Sequence, residues 1–236
     1  MIQELVGTRV GDYFLPAFAG VAYSRNDSRS SPRIKLEDGL LRLVPGLGTR
    51  AVDRLSDDYP VLAAPGGRDL RVNVTLEEQL RYAPKKVDLI NLKTNRFETV
   101  EIADLLRSHG SQLPAVEQLV SIFDGSRLQR SPRLGIDFAR DDLVVTFDGL
   151  LTDTPFTQRI QALLSLLEQR LRTPVDIEFA HDGTDLYLLQ CRPQSYGDGS
   201  APAHIPRDAP PDRILFTASR HVSNGSVPDI SHIVYV

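Results

Sequence analysis

The chain has no tryptophan, one methionine and one cysteine, Cys191. A single cysteine excludes an intramolecular disulfide framework and suits a reducing cytoplasm. No run approaches the roughly twenty apolar residues needed to cross a bilayer. The opening Met1-Ile2-Gln3-Glu4-Leu5-Val6-Gly7 lacks the basic start and apolar centre of a secretory signal. Sustained basic stripes are missing too. Net charge is −4, and the nearest approach to a stripe, Arg25 to Arg33, reads as a loop between strands. Neither nucleic-acid nor membrane partners are expected. There are no internal repeats. What remains, 236 residues with 41% hydrophobic and 25% charged side chains, can bury one large core or two smaller ones.

The most informative stretch is 174–193. Val175 to Ala180 alternates, with Asp176 and Glu178 on one face and Ile177 and Phe179 on the other. Asp182-Gly183 is a hairpin signal, and Leu186 to Arg192 supplies a return strand. Side chains on a strand repeat every two residues. If Glu178 faces Gln190, then Asp176 faces Arg192, and two carboxylates, an amide oxygen and a guanidinium converge. Phe179, Leu189 and Cys191 are expected to pack behind, which gives Cys191 a packing role rather than a reactive one. Mg²⁺ takes oxygen ligands from one or two carboxylates plus substrate phosphates, and the arginine fork suits a phosphate. The competing reading is a surface hairpin whose polar face carries a cross-strand salt bridge and is simply solvated.

Asp176-x-Glu178 followed after twelve residues by Gln190-x-Arg192-Pro193 resembles the end of the nucleotide-binding domain of pyruvate phosphate dikinases and phosphoenolpyruvate synthases. The resemblance implies an ATP-grasp fold. It implies that Glu178 and Gln190 hold Mg²⁺ on ATP phosphates, and that Arg192 and Asp176 act catalytically on the transferring phosphoryl groups. Two earlier strands are similar as well. Gln3-Glu4-Leu5-Val6 resembles a family strand near the adenine, and Gly20-Val21-Ala22-Tyr23-Ser24-Arg25-Asn26 one that sets a hydroxyl, here Ser24, near the nucleotide. Gly46-Leu47-Gly48 resembles a family Gly-Leu-Gly-Glu, with Thr49 where the acid stands. Gln3, Ser24, Gly46 and Gly48 are thereby candidate nucleotide-binding residues. In the intact family enzyme ATP phosphorylates a carrier histidine, which passes the group to pyruvate; related enzymes use other acceptors. His109, His181, His204, His221 and His232 lie outside the Thr-x-His setting of that carrier. The earlier, ATP-clamping half of the family domain has no counterpart here. Other domains of a longer phosphotransferase, or a partner chain, are therefore expected, and the isolated chain is expected to be inactive. A non-catalytic module that keeps the fold is the alternative.

Along the rest of the chain, strands are expected at Ile2 to Val6, Ala19 to Ser24, Arg33 to Val44, Pro84 to Asn91, Phe97 to Val100, Val116 to Phe123 and Leu143 to Phe147, with a loop between the first two. Glycines at 46 and 48 precede a short helix, a setting in which backbone N–H groups can face phosphate. Glu101 to His109 is read as a helix with Ile102, Leu105 and Leu106 on one face, stopped by Gly110, and with His109 solvated in the last turn. Thr154-Pro155 opens the clearest helix, with Ile160, Leu163, Leu164, Leu167 and Leu171 at helical spacing. His181, beside the hairpin turn, is expected to be exposed. The whole reads as α+β: a mostly antiparallel sheet flanked by helices, over 1–195. A proline-rich linker, 196–212, is expected next. The run 213–236 is expected to begin a following segment, and its end inside an apolar run suggests a fragment.

Overall fold

The computed structural model describes residues 4–26, 28–29, 33–52, 58–67, 70–130, 135–194, 210 and 222–223. Its centre is a five-stranded antiparallel sheet in the order β13-β12-β3-β5-β6. The strands are β3 (Phe18–Tyr23), β5 (Leu40–Pro45), β6 (Val61–Ala63), β12 (Val175–His181) and β13 (Leu186–Pro193). A second sheet has the order β1-β2-β7-β8, from β1 (Thr8–Val10), β2 (Tyr13–Leu15), β7 (Lys86–Asn91) and β8 (Arg96–Glu101). A third joins β9 (Val120–Phe123) to β10 (Leu128–Arg130) and β11 (Leu143–Val145). A two-residue pair links β4 (Ser28–Arg29) with β14 (Val222–Ser223). All the strand pairings described are antiparallel. Helices are few: α1 (Thr49–Val52), α2 (Leu76–Arg81), α3 (Ile102–His109), α4 (Val116–Leu119), α5 (Asp148–Asp153) and α6 (Phe156–Leu171). The chain is α+β, as its sequence pattern requires.

Alternation along β12 sends Ile177 and Phe179 to one face of the central sheet, where α6 presents Ile160 and Leu164; all four are fully buried. Phe18, Phe147 and Phe156 complete the cluster, with edge-to-face ring centroids 5.8 Å and 5.5 Å from Phe18. Gly20 lies beneath Phe179: a Cβ there would approach the ring at 2.7 Å and run into the Arg42 carbonyl, so the ring can pack only on a glycine. The same core takes Val87 and Leu89 from the second sheet and Ile102, Leu105 and Leu106 from α3.

Several local expectations need correction. No strand forms from Glu4 to Gly7, and residues 1–3 lie outside the described residues, Gln3 among them. The expected loop contains the β1–β2 hairpin, turned at Gly11 with φ +58°. Arg33 to Val44 is only partly strand. Asp38 accepts the Lys35 N–H at 2.8 Å, a 3₁₀ turn forms over Leu36–Asp38, and Gly39 at φ +70° redirects the chain into β5. Val116 to Phe123 is half helix, because Ala115 enters the left-handed region after Pro114 and starts α4, burying Val116 and Leu119. Gly110 does end α3, but at φ −54°; the glycine is required because a Cβ would strike the Phe138 ring. His109 is half-buried, edge-on to Tyr13 with ring centroids 5.7 Å apart. Leu171 is 50% exposed, past the buried stripe of α6. The linker and following segment, apart from 210 and 222–223, lie outside the described residues.

His181 is also not exposed. Its ring stacks on Phe18 at 4.8 Å, and its Nδ1 accepts the Gly183 N–H at 2.9 Å. Burial, opposed by the Asp182 and Asp185 charges, holds its pKa below the ordinary 6.5. The stability this neutral, stacked imidazole confers is complete above 6.5 and falls as pH drops below it, where unfolded chains take up a proton that the folded one resists. Urea midpoints should therefore decline between about pH 7.5 and about pH 5.5, and less steeply in His181→Phe, which keeps the stack. Phe179→Ala should cost about 3–5 kcal/mol in the same unfolding assay.

Candidate nucleotide and phosphate site

The hairpin register brings the four polar residues together. Asp176 pairs with Arg192 and Glu178 with Gln190 across β12 and β13. Opposite residues of an antiparallel pair have Cβ atoms about 5 Å apart, so each pair shares one small polar volume. A bulge follows at once: Phe179 pairs with Leu188, leaving Leu189 as the extra residue. The bulge corrects one expectation, since Leu189 does not pack behind the hairpin but is 36% exposed on the other side. Cys191 stays against the core, half-buried, and burial pushes its thiol pKa up, which makes it a poor nucleophile.

Asp176 is 6% exposed, and its Oδ1 accepts the Arg192 Nε–H at 2.6 Å. Arg192 Nη2 stands 4.0 Å from Glu178 Oε1. The hydrogen bond to Asp176, then the charge of Asp176, raises the Arg192 pKa further, with smaller contributions from Glu178 and Tyr23. Asp176 therefore aims the guanidinium, which at 48% side-chain exposure still offers donors outward. Glu178 makes no hydrogen bond of its own among the described residues and has 27% side-chain exposure. Register sets Gln190, an exposed side chain, opposite this carboxylate, and a carboxylate oxygen with an amide oxygen is a donor set of the kind a hard cation takes when phosphate and water complete its shell. Among the described residues no three His, Cys, Asp or Glu side chains cluster to hold a metal unaided.

Glu178 also lines a cleft of about 570 Å³ between the central and second sheets. Leu5, Val6, Leu47, Ile90, Phe97 and Leu189 give it apolar walls, and Gly48 and Thr49 form one side. Size and lining suit a nucleoside-sized ligand. The glycine turn that makes this side is strapped to β7. Gly46 has φ +68° and bridges to Asp88, and Leu47 N donates to the Asp88 carbonyl at 2.9 Å. The buried Asp88 carboxylate accepts from Thr49 Oγ1 at 2.5 Å, Thr99 Oγ1 at 2.6 Å and Arg50 Nε at 3.0 Å.

The remaining candidates are dispersed. Gly48 lines the cleft, whereas Gly46 supports the turn from behind. Ser24 does not line the cleft: its Oγ accepts the Val175 N–H at 3.0 Å, tying β3 to β12, beside a separate groove with Arg25 and Glu168. The sequence reading did not single out Asp88 or Phe97. An acid inside the apolar run Val87-Asp88-Leu89 was the available signal for the first; Phe97 carried none.

With this geometry in place, comparison with known proteins is informative. A family model described as "Pyruvate phosphate dikinase, AMP/ATP-binding domain" matches residues 1–212. No curated protein matches the chain significantly. The match covers most of the 236 residues and includes every candidate site residue. Among the described residues no helix is long and apolar enough to cross a membrane. The chain, with its ATP-grasp-like α+β architecture and its carboxylate–amide–guanidinium hairpin, belongs to the pyruvate phosphate dikinase AMP/ATP-binding domain family.

Proposed function

We propose that this chain binds Mg²⁺-ATP as the nucleotide-binding portion of a phosphotransferase of the pyruvate dikinase and phosphoenolpyruvate synthase type. The base and sugar occupy the 570 Å³ cleft and the phosphates run onto the hairpin face. The observation that carries this reading is the register: Glu178 opposite Gln190 and Asp176 opposite Arg192, with Glu178 shared between polar face and cleft. Glu178 and Gln190 hold the metal, which neutralises phosphate charge when bound. Arg192, aimed by Asp176, offers its remaining donors to the transferring phosphoryl group. Phosphoryl transfer needs little covalent chemistry from the protein, so positioning and charge neutralisation are the contribution expected of these groups. The acceptor, a carrier histidine in the family pattern, is supplied by other domains or by a partner chain. On this reading the isolated chain binds nucleotide but does not turn it over, in a cytoplasmic setting.

One observation favours a second reading. The Gly-Leu-Gly turn ends in Thr49, whose hydroxyl is committed to Asp88 where the family motif carries an acid. That fits a nucleotide-sensing or interaction module that keeps the fold without transfer. A hairpin that is merely solvated has little use for a buried Asp176 that aims an exposed Arg192 beside Glu178, which favours the phosphotransferase.

Calorimetric titration of Mg-ATP tests the site. Glu178→Ala and Arg192→Ala should each weaken binding about tenfold or more. Omitting Mg²⁺ should weaken ATP binding by the parent but barely affect Glu178→Ala. Unchanged affinity in both variants would move the phosphates off the hairpin. Appearance of ADP or AMP once a His-bearing acceptor domain is added would exclude the non-catalytic reading.

A further inference from the structure

The central sheet carries a second arginine toward the same polar face. Val21 pairs with Glu178 on one side and with Arg42 on the other, so Gln190, Glu178, Val21 and Arg42 form one cross-strand row. Tyr23, next along β3 on that face, pairs with Asp176. The Arg42 guanidinium carbon lies 5.8 Å from the centre of the Tyr23 ring. Tyr23 thus stands between two guanidiniums, Arg192 reached through Asp176 and Arg42 over its own ring.

Arg42 is under-used where it sits. Its Nη1 donates to the Ala51 carbonyl at the end of α1, at 3.3 Å. Its Nε is buried without a hydrogen-bond partner among the described residues. Capping a four-residue helix occupies one of five guanidinium donors, and a lysine would serve there as well. A buried donor left unmet is costly, so a partner that arrives with a ligand accounts for an arginine here better than the cap does.

We propose that Arg42 is a second phosphate-binding arginine, which closes with Arg192 on the outer phosphates of the nucleotide across Tyr23. The inference rests on the nucleotide reading above and adds a residue to it. An arginine serves here because its planar fork can keep the Ala51 carbonyl and still present a parallel pair of donors to a phosphate.

Calorimetry with Mg-ATP and with AMP, on the parent, Arg42→Met, Arg42→Lys and Glu178→Ala, tests it, with thermal unfolding to verify that each variant folds. Arg42→Met should weaken Mg-ATP about tenfold or more and leave AMP unchanged, and Arg42→Lys should recover only part of the loss. A role confined to capping α1 would lower the melting temperature and leave the ratio of the two affinities where it was. That result, or full recovery by lysine, overturns the proposal. Should Glu178→Ala lose Mg-ATP while Arg42→Met does not, the nucleotide reading stands and the Arg42 proposal falls. A parent that binds neither ligand removes both.

Discussion

Cross-strand pairing of β12 with β13 is the constraint on which the rest of the site depends. Because strand side chains alternate strictly, a one-residue slip would send Asp176 and Glu178 into the core and Ile177 and Phe179 into solvent. Phe179 fixes the register from below: its ring fills the space above Gly20 and packs against Phe156 with centroids 5.9 Å apart. Asp176 and Arg192 fix it from above through a 2.6 Å charge-assisted hydrogen bond. The bulge just past Glu178 then reverses the facing of β13, which lets the polar face and the apolar wall at Leu189 adjoin. One irregularity lets Glu178 and Leu189 line the same cleft.

The other wall depends on Asp88. A buried carboxylate needs several donors to remain charged at low cost, and this one receives Thr49, Arg50 and Thr99. Those donors come from the first two residues of α1, directly after the glycine turn, and from β8, and the Asp88 carbonyl accepts the Leu47 N–H, so this residue locks the second sheet to the turn that borders the cleft. Asp58 reinforces the lock, accepting the Lys85 and Lys86 N–H groups at 2.9 Å and 3.0 Å and standing 3.6 Å from Arg50. The two sides of the cleft are thus held by different physics, apolar register on one and a buried polar network on the other. Neither is a loop free to drift.

The hairpin was legible in the sequence because its information is local: period-two alternation, an Asp-Gly turn, and four polar residues of one parity. α6 was legible for the same reason, through apolar residues at helical spacing after Thr154-Pro155. What escaped depends on distant contacts or on short signals. The exposure of Leu189 follows from a bulge that parity cannot anticipate, and the burial of His181 follows from Phe18, which is far away in sequence. The α2 cap went unread although its signal is local. Thr75 accepts the Glu78 N–H at 3.2 Å and Glu78 accepts the Thr75 N–H at 3.3 Å, a capping box written as Thr-x-x-Glu. Asp88 offered only the signal of an acid in an apolar run, and Arg42 none, because a charged residue in a half-buried strand acquires meaning only from what the neighbouring strands and turns bring to it.

A crystal structure of this chain with Mg²⁺ and a non-hydrolysable ATP analogue tests the central claim most directly. The account predicts a metal bound by one Glu178 oxygen and the Gln190 amide oxygen at about 2.1 Å, with a phosphate oxygen on Arg192 and the base between the two sheets. A nucleotide bound elsewhere, or a metal held without Glu178 and Gln190, would contradict it.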